Sequence, residues 1–400
     1  MSGSFMQSIA QSWLVLTLTH SGTALGITAA LQYVPLLLLS PWGGILADRL
    51  QKRHVLYVTQ IVQALLALIL GLLVLTGVVQ LWMVFILAFL LGCTSMVDNP
   101  TRQAFIFEMV SSKEIRNAVT LHATLNNFCR IAGPALAGIL IATVGLAPCF
   151  LFNAFSFGAL IVALWMMRTE ELHRSPIAPY SSGWRLLREG MQYVFATPEL
   201  RDAVLMVAIV GTLTYEFPVS LALIAEEHFH SGSSGYATLT TMMGIGAVIG
   251  GLLSAGQKEL SSRLLITASL FFGIAVLLAS VMPSFTLTAV LMLAVGLFSL
   301  RFTTLSNGML QLKSAPQMRG RVMSLWTVTY LGSTAIGGPI VGWTGEFLGP
   351  RYGLALGGVA ALLASILGAR LLRGRKVSVA AVGYAMTAAE ARAEDDMRIP

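Results

Sequence analysis

Apolar residues in this chain come in runs of about 18 to 25, long enough to cross a bilayer as helices, and short polar segments separate the runs. Such runs lie near residues 2–18, 25–46, 55–76, 81–103, 117–143, 147–167, 203–225, 236–256, 263–282, 285–307, 322–345 and 352–372. Lipid lets a helix be apolar all round, because its backbone bonds are satisfied internally. The pattern predicts an all-α polytopic membrane protein with twelve spans. The first run is diluted by Ser2, Ser4, Gln7, Ser8, Gln11 and Ser12 and has no charged segment before it, so it reads neither as a signal peptide nor as a lipid-facing helix. It is expected to face the protein interior and to be a truncated span.

The connecting segments alternate in charge. One set carries Arg49, Lys52 and Arg53, then Arg102, Lys113 and Arg116, then the central stretch with Arg168, Arg174, Arg185 and Arg188, and later Lys258, Lys313, Arg319 and Arg373. The opposite set has almost nothing basic except Arg351. The positive-inside rule makes the first set cytoplasmic, and with it both termini, in a multi-pass protein of the cell (inner) membrane.

The chain also repeats itself. Ser95–Leu121 and Ser299–Leu325 align without a gap, Gly43-Gly44 matches Gly250-Gly251, and Gly133-Pro134 matches Gly338-Pro339. Two pseudo-symmetric six-helix bundles follow, 1–168 and 203–373, joined by a cytoplasmic loop at 169–202 and followed by a disordered tail at 374–400. The loop contains a short amphipathic piece, Trp184–Phe195. Paired bundles around a central cavity suit alternating access.

Composition narrows the classes. Charged residues make up 11% and hydrophobic ones 56%, too few and too many for soluble domains of this length. The net charge of +7 does not indicate nucleic acid, because the basic residues are scattered between spans and do not interleave with exposed aromatics. Cys93, Cys129 and Cys149 have neither metal-ligand nor disulfide-framework spacing, and His228 with His230 reads as a solvated loop pair. No Walker lysine loop, H-E-x-x-H pair or nucleophile elbow occurs, so no enzyme, cofactor or metal site is expected.

Three motifs carry a family resemblance. Gly44-Ile45-Leu46-Ala47-Asp48-Arg49-Leu50-Gln51-Lys52-Arg53 closely resembles the loop signature of the major facilitator superfamily, with Gln51 in place of its second glycine. Cys129-Arg130-Ile131-Ala132-Gly133-Pro134-Ala135-Leu136-Ala137-Gly138 resembles the Gly-Pro motif of the exporter branches, with Cys129 and Ala137 replacing two glycines. Asp98-Asn99-Pro100-Thr101-Arg102-Gln103-Ala104, followed by Glu114 to Ala118, is similar to the connection between the fourth and fifth helices in the enterobactin-exporter-like branch. The resemblance extends from about Met6 to Leu372, and the chain begins later than members of that branch do.

It implies a secondary transporter that exports a small organic molecule, siderophore-like or drug-like, by proton antiport. Metabolite uptake on the same fold, or a non-transporting sensor or assembly partner, stays open. A monomer in the lipid bilayer, handling its substrate and protons, is the expected working unit.

The resemblance also implies a cytoplasmic gate at Gly44, Asp48, Arg49, Lys52 and Arg53, with Asp98 as a third member of an acid–base latch around Asp48 and Lys52. Fixing topology alone is the simpler alternative for those residues. Gly133, Pro134 and Gly138 predict close helix approach and a kink, serving either packing or closure of the outward path.

Charged residues inside spans are costly and point to function. Glu216 lies about 20 Å along span 7 at 1.5 Å per residue, where an isolated carboxyl can exchange a proton near neutral pH. Glu216 and Asp98 are the proton-coupling candidates, with an ion pair between Glu216 and Arg130 as the structural alternative. Gln7, Gln11, Gln32, Asn126, Asn127, Arg130 and Arg301 are expected to line the substrate cavity. Trp326 and Tyr330, one turn apart, either stack on an aromatic ligand or pack in the core.

Overall fold

Each apolar run becomes a helix that stops where polar, Gly or Pro residues interrupt it. The computed structural model describes residues 1–111, 114–168, 183–255 and 260–396, with side chains described except at 40–49, 116, 183–186, 255 and 374–396. The first half supplies α1 (Ser2–Thr19), α2 (Gly22–Arg49), α3 (Lys52–Leu75), α4 (Leu81–Met109), α5 (Ile115–Thr143) and α6 (Ala147–Met166). The short amphipathic α7 (Gly183–Ala196) follows the central stretch.

The second half consists of α8 (Pro198–Leu213), α9 (Phe217–Leu223), α10 (Gly232–Ala255), α11 (Ser262–Val281), α12 (Phe285–Lys313), α13 (Arg319–Thr327), α14 (Thr334–Phe347) and α15 (Pro350–Asp396). Ten segments are long and apolar enough to cross a membrane, α8 and α9 counting together as 198–228. The expected spans 2–18 and 322–345 are helical too, as α1 and as α13 followed by α14. The outside is apolar in the way lipid requires, with Phe155, Trp165 and Leu252 each more than 70% exposed.

The halves repeat one packing plan. In the first, α2 lies on α4, and α3 on α6 and α4; in the second, α10 lies on α12, and α11 on α15 and α12. The cross-contacts obey the same symmetry, since α2 meets α14 and α5 meets α10. These seams use glycine. A Cβ on Gly22 would come within 2.6 Å of the Gly342 carbonyl oxygen, and one on Gly26 would run into the Gly338 carbonyl. In the other seam, a Cβ on Gly138 would lie 2.5 Å from that of Ala237. Glycine is what lets these backbones touch.

Three expectations change. The backbone of 374–396, expected to be disordered, continues α15 as helix to Asp396. Its run of Ala380, Ala381, Ala385, Ala388, Ala389, Ala391 and Ala393 has the highest intrinsic helix propensity, which outweighs its lack of an apolar face. Met397–Pro400 lie outside the described residues.

Second, Lys52 and Arg53 bond to other helices of the first half. Lys52 pairs with Glu108 at 2.5 Å, joining the first turn of α3 to the last turn of α4. Arg53 donates to the Leu164 carbonyl at 2.7 and 3.0 Å and to the Trp165 carbonyl at 3.2 Å. It thereby binds the end of α6, where the negative pole of the helix favours a cation. Arg53→Ala is expected to lower thermal stability by about 1–2 kcal/mol, the cost of bonds to a charged donor. Thermal unfolding in detergent measures this, and Arg53→Lys, which lacks the planar fork, should recover only part of it.

Third, Asp98 lies deeper in its helix than a place near the inner end. It lies eleven residues before the end of α4, about 16 Å from that end at 1.5 Å per residue. Gly44, Asp48 and Arg49 have helical backbone in α2, but their side chains lie outside the described residues.

Candidate functional site

The seventh span breaks in the middle because of its sequence. Pro218 has no N–H to offer the Thr214 carbonyl and its ring crowds that oxygen, so α8 stops at Leu213 and α9 restarts at Phe217. The Thr214 hydroxyl donates to the Gly357 carbonyl at 2.7 Å and fastens the broken end to α15. Glu216 occupies the N-cap of α9, and its carbonyl receives the Val219 and Ser220 amides. Its side chain makes no capping bond and is free to point into the interior.

There the Glu216 carboxyl is 2% exposed. It lies against Gly337 and Gly338 of α14, where a Cβ on Gly337 would come within 3.1 Å of Oε1. The Thr334 hydroxyl lies alongside, while Oε1 has no hydrogen-bond partner. Among the described residues no cation pairs with it. The alternative of an ion pair with Arg130 is therefore not realised. Arg130 sits half-buried where α5 meets α10, its Nε without a partner.

Glu216 opens onto a chamber of about 210 Å³ bounded by both halves: Thr28, Gln32 and Tyr33 from α2 on one side, and Tyr215, Tyr330 and Thr334 on the other. Tyr330 belongs to a π-helical turn, Val328–Gly332, between α13 and α14, a kind of irregularity common at functional sites. Tyr330 packs edge-on against Tyr215 at 4.9 Å and stacks on Trp326 at 5.0 Å. The Tyr215 hydroxyl donates to the Ser299 carbonyl at 2.8 Å, which anchors this aromatic column to α12. Trp326 and Tyr330 thus act first as packing, and of the two only Tyr330 reaches this chamber.

A second chamber of about 330 Å³ lies within the first half, on the side of the basic connections. Gln7, Gln11, Gln32 and Asn126 line it, together with Asp98. Asn127, Arg130 and Arg301 line neither chamber, contrary to expectation. Asn127 is turned about 100° from its neighbour Asn126 around the helix axis, and so faces elsewhere.

Ser8, Gln11 and Gln32 belong to both chambers and form the wall between them. Gln7 accepts a bond from Asn153 Nδ2 at 2.6 Å, which joins α1 to α6. Gly133, as expected, brings α5 close to α1: a Cβ there would lie 2.5 Å from Phe5 Cβ. Pro134 sits inside α5, one residue on.

Asp98 is buried and fully engaged. Its Oδ1 accepts from Thr59 at 2.7 Å and from Gln60 at 2.6 Å, and its Oδ2 pairs with Arg102 at 2.7 Å. Thr59, Gln60 and Gln63, all buried on one face of α3, were not picked out from sequence. Their spacing of one, three and four was the available signal. On the rim opposite the basic one, Glu346 of α14 accepts from the Ser21 hydroxyl and the Thr23 amide, both at 2.7 Å. It binds the start of α2 from the other half.

The arrangement therefore consists of two bundles closed on one rim by glycine seams and a carboxylate clasp, with polar chambers between and beneath. Known proteins share it. Over 94% of this chain, the structure superimposes on a POT family transporter in complex with a thioalcohol conjugated peptide, covering 95% of that chain with a TM-score of 0.72 at 12% identity. The nucleoside transporter NupG matches over 92% of this chain and 96% of its own, with a TM-score of 0.67 at 14% identity. Those likenesses concern the fold.

Sequence relatives include the staphyloferrin A transporter of Staphylococcus aureus, 27% identical over 81% of each chain. The enterobactin exporter EntS of Shigella flexneri is 25% identical over 88% of this chain and 83% of its own. The multidrug efflux pump Tap of Mycolicibacterium fortuitum is 26% identical over 81% of each. The family model described as transmembrane secretion effector matches residues 1–387. This chain belongs to that family, within the major facilitator superfamily: it is a multi-pass membrane transporter of small molecules and not an enzyme.

Proposed function

We propose that the chain exports a small organic molecule in exchange for protons, with Glu216 as the coupling acid and the basic rim in the cytoplasm. The carrying observation is the buried Glu216 carboxyl, unpaired with any cation among the described residues, at a chain break between the two halves. A charged carboxylate in that place would bear a desolvation cost that no cation among the described residues offsets. Two of the relatives are named as an exporter and an efflux pump, which supports the direction.

In this reading the conformation is closed outward. A proton leaves Glu216 through the wall of Ser8, Gln11 and Gln32 into the larger chamber and the cytoplasm, substrate enters that chamber, and the halves rock. The test is substrate movement in everted membrane vesicles. Energised vesicles should accumulate a labelled siderophore or cationic dye, and collapsing the pH gradient with nigericin should stop it. Accumulation only in right-side-out vesicles would reverse the direction.

Glu346 then serves as the outer clasp. Removing an N-terminal cap and its charge costs about 1 kcal/mol, roughly a five-fold change in a two-state ratio. Glu346→Ala is expected to raise external labelling of a cysteine placed at the buried Thr28 by about that factor, read with a membrane-impermeant maleimide. Unchanged labelling would remove Glu346 from the gate.

A further inference from the structure

The larger chamber has an uneven supply of hydrogen-bonding groups. Its one lining carboxylate, Asp98, has both oxygens engaged by three donors, Thr59, Gln60 and Arg102. A cationic ligand would have to break those bonds to reach it. The Arg102 guanidinium has five N–H donors in a fixed fork and its side chain is 28% exposed, so donors remain after its bond to Asp98. His122, also in the lining, has a buried Nε2 without a partner.

Carboxamides from four different helices, Gln11, Gln32, Gln63 and Asn126, add further donors and acceptors around the space. Trp and Tyr, the aromatics best suited to holding a cation over a ring face, are missing from its lining, where only Phe5 and Phe157 are aromatic. The chamber is therefore rich in donors, carries the Arg102 guanidinium and the Met1 α-amino group on its cationic side, and has no spare anion among its lining residues.

We propose that this chamber, Arg102 and Asn126 in particular, binds an anionic, oxygen-rich organic molecule bearing carboxylates and hydroxyls, and not a lipophilic cation. The inference rests on the export reading only for which way that molecule travels. Arg102 meets a ligand carboxylate with the N–H groups that Asp98 leaves free, and such charge-assisted bonds are the strong ones. The carboxamides meet hydroxyls, for which they can both donate and accept.

The experiment is equilibrium binding to the full chain in lipid nanodiscs, with radiolabelled citrate as the anionic probe and tetraphenylphosphonium as the cationic one. Citrate should bind saturably. Arg102→Gln and Asn126→Leu should each weaken it about ten-fold, the worth of one charge-assisted or well-placed hydrogen bond. Arg102→Lys should keep part of the affinity, and should Arg102→Gln fail to fold, Arg102→Lys and Asn126→Leu carry the test.

Absent citrate binding, citrate binding indifferent to these variants, or tetraphenylphosphonium binding that Asn126→Leu removes would each overturn the assignment. Any of those results, found alongside proton-driven accumulation of a dye in everted vesicles, would sink the ligand class and leave the export reading standing. Loss of all vesicle transport with citrate binding intact would do the reverse.

Discussion

Glu216→Gln should abolish the dependence of transport on the pH gradient. Under the proposed antiport, acidifying the outer compartment would load Glu216 in the outward-facing state and drive export, so efflux is expected to rise as external pH falls. Glutamine is nearly the same size and fits the same niche against Gly337, Gly338 and Thr334, yet has no proton to exchange. Proton-driven efflux should fall by more than about ten-fold and become flat with pH, as expected when an intramembrane acid carries the coupling.

Exchange of labelled for unlabelled substrate, which needs only the rocking motion, should survive. That split between net efflux and exchange distinguishes a coupling acid from a packing residue, whose loss would depress both. A variant that keeps the pH slope at normal expression would remove Glu216 from the coupling step and with it the main support for antiport. Glu216→Asp, one methylene shorter, should retain the slope at reduced rate.

The expected span 203–225 ran unbroken through Glu216, although the proline of Thr214-Tyr215-Glu216-Phe217-Pro218, just after an acid inside an apolar run, was the available signal for the break. The spans were readable because length and hydropathy along one helix are local properties. What the sequence could not supply was the rotational setting of one helix against another. Asp98 was visible as a buried charge, but Thr59 and Gln60, its partners, lie on another span about forty positions away. Arg130 and Glu216 were matched on depth alone, and in the structure Glu216 Oε1 and Arg130 Nε each have no hydrogen-bond partner.

The π-helical turn that sets Tyr330 was equally hidden, because Val328–Gly332 contains no Pro and ends in a glycine that an ordinary helix would tolerate. Glu346 was missed for a further reason. At the edge of a span it reads as a solvated rim residue, and only the start of α2 opposite it gives it work.

The glycines of the α2–α14 seam yield the other large effect. Gly26→Val should shift the protein toward its outward-open form without unfolding it. The α2 and α14 backbones interleave at Gly22, Gly26, Gly338 and Gly342, and a side chain at Gly26 collides with the Gly338 carbonyl, a main-chain atom that no rotamer change can move. Overpacking of this kind costs about 1–3 kcal/mol. In the proposed cycle the cost falls on one conformation only, because the seam joins the two halves and would come apart as the outer side opens.

A penalty near 3 kcal/mol confined to the closed form changes the ratio of the two states by about a hundred-fold. External labelling of a cysteine at Thr28 should rise accordingly, while the thermal midpoint moves little. Gly296→Val provides the contrast. Its Cβ would run into the Met243 carbonyl, where α12 meets α10 inside one half and away from the seam between the halves. That substitution should lower the yield of folded protein and leave the labelling ratio of the surviving fraction unchanged. Equal loss of folded protein in both variants, with no rise in labelling for Gly26→Val, would mean that the α2–α14 seam is fixed structure and that the halves do not part there.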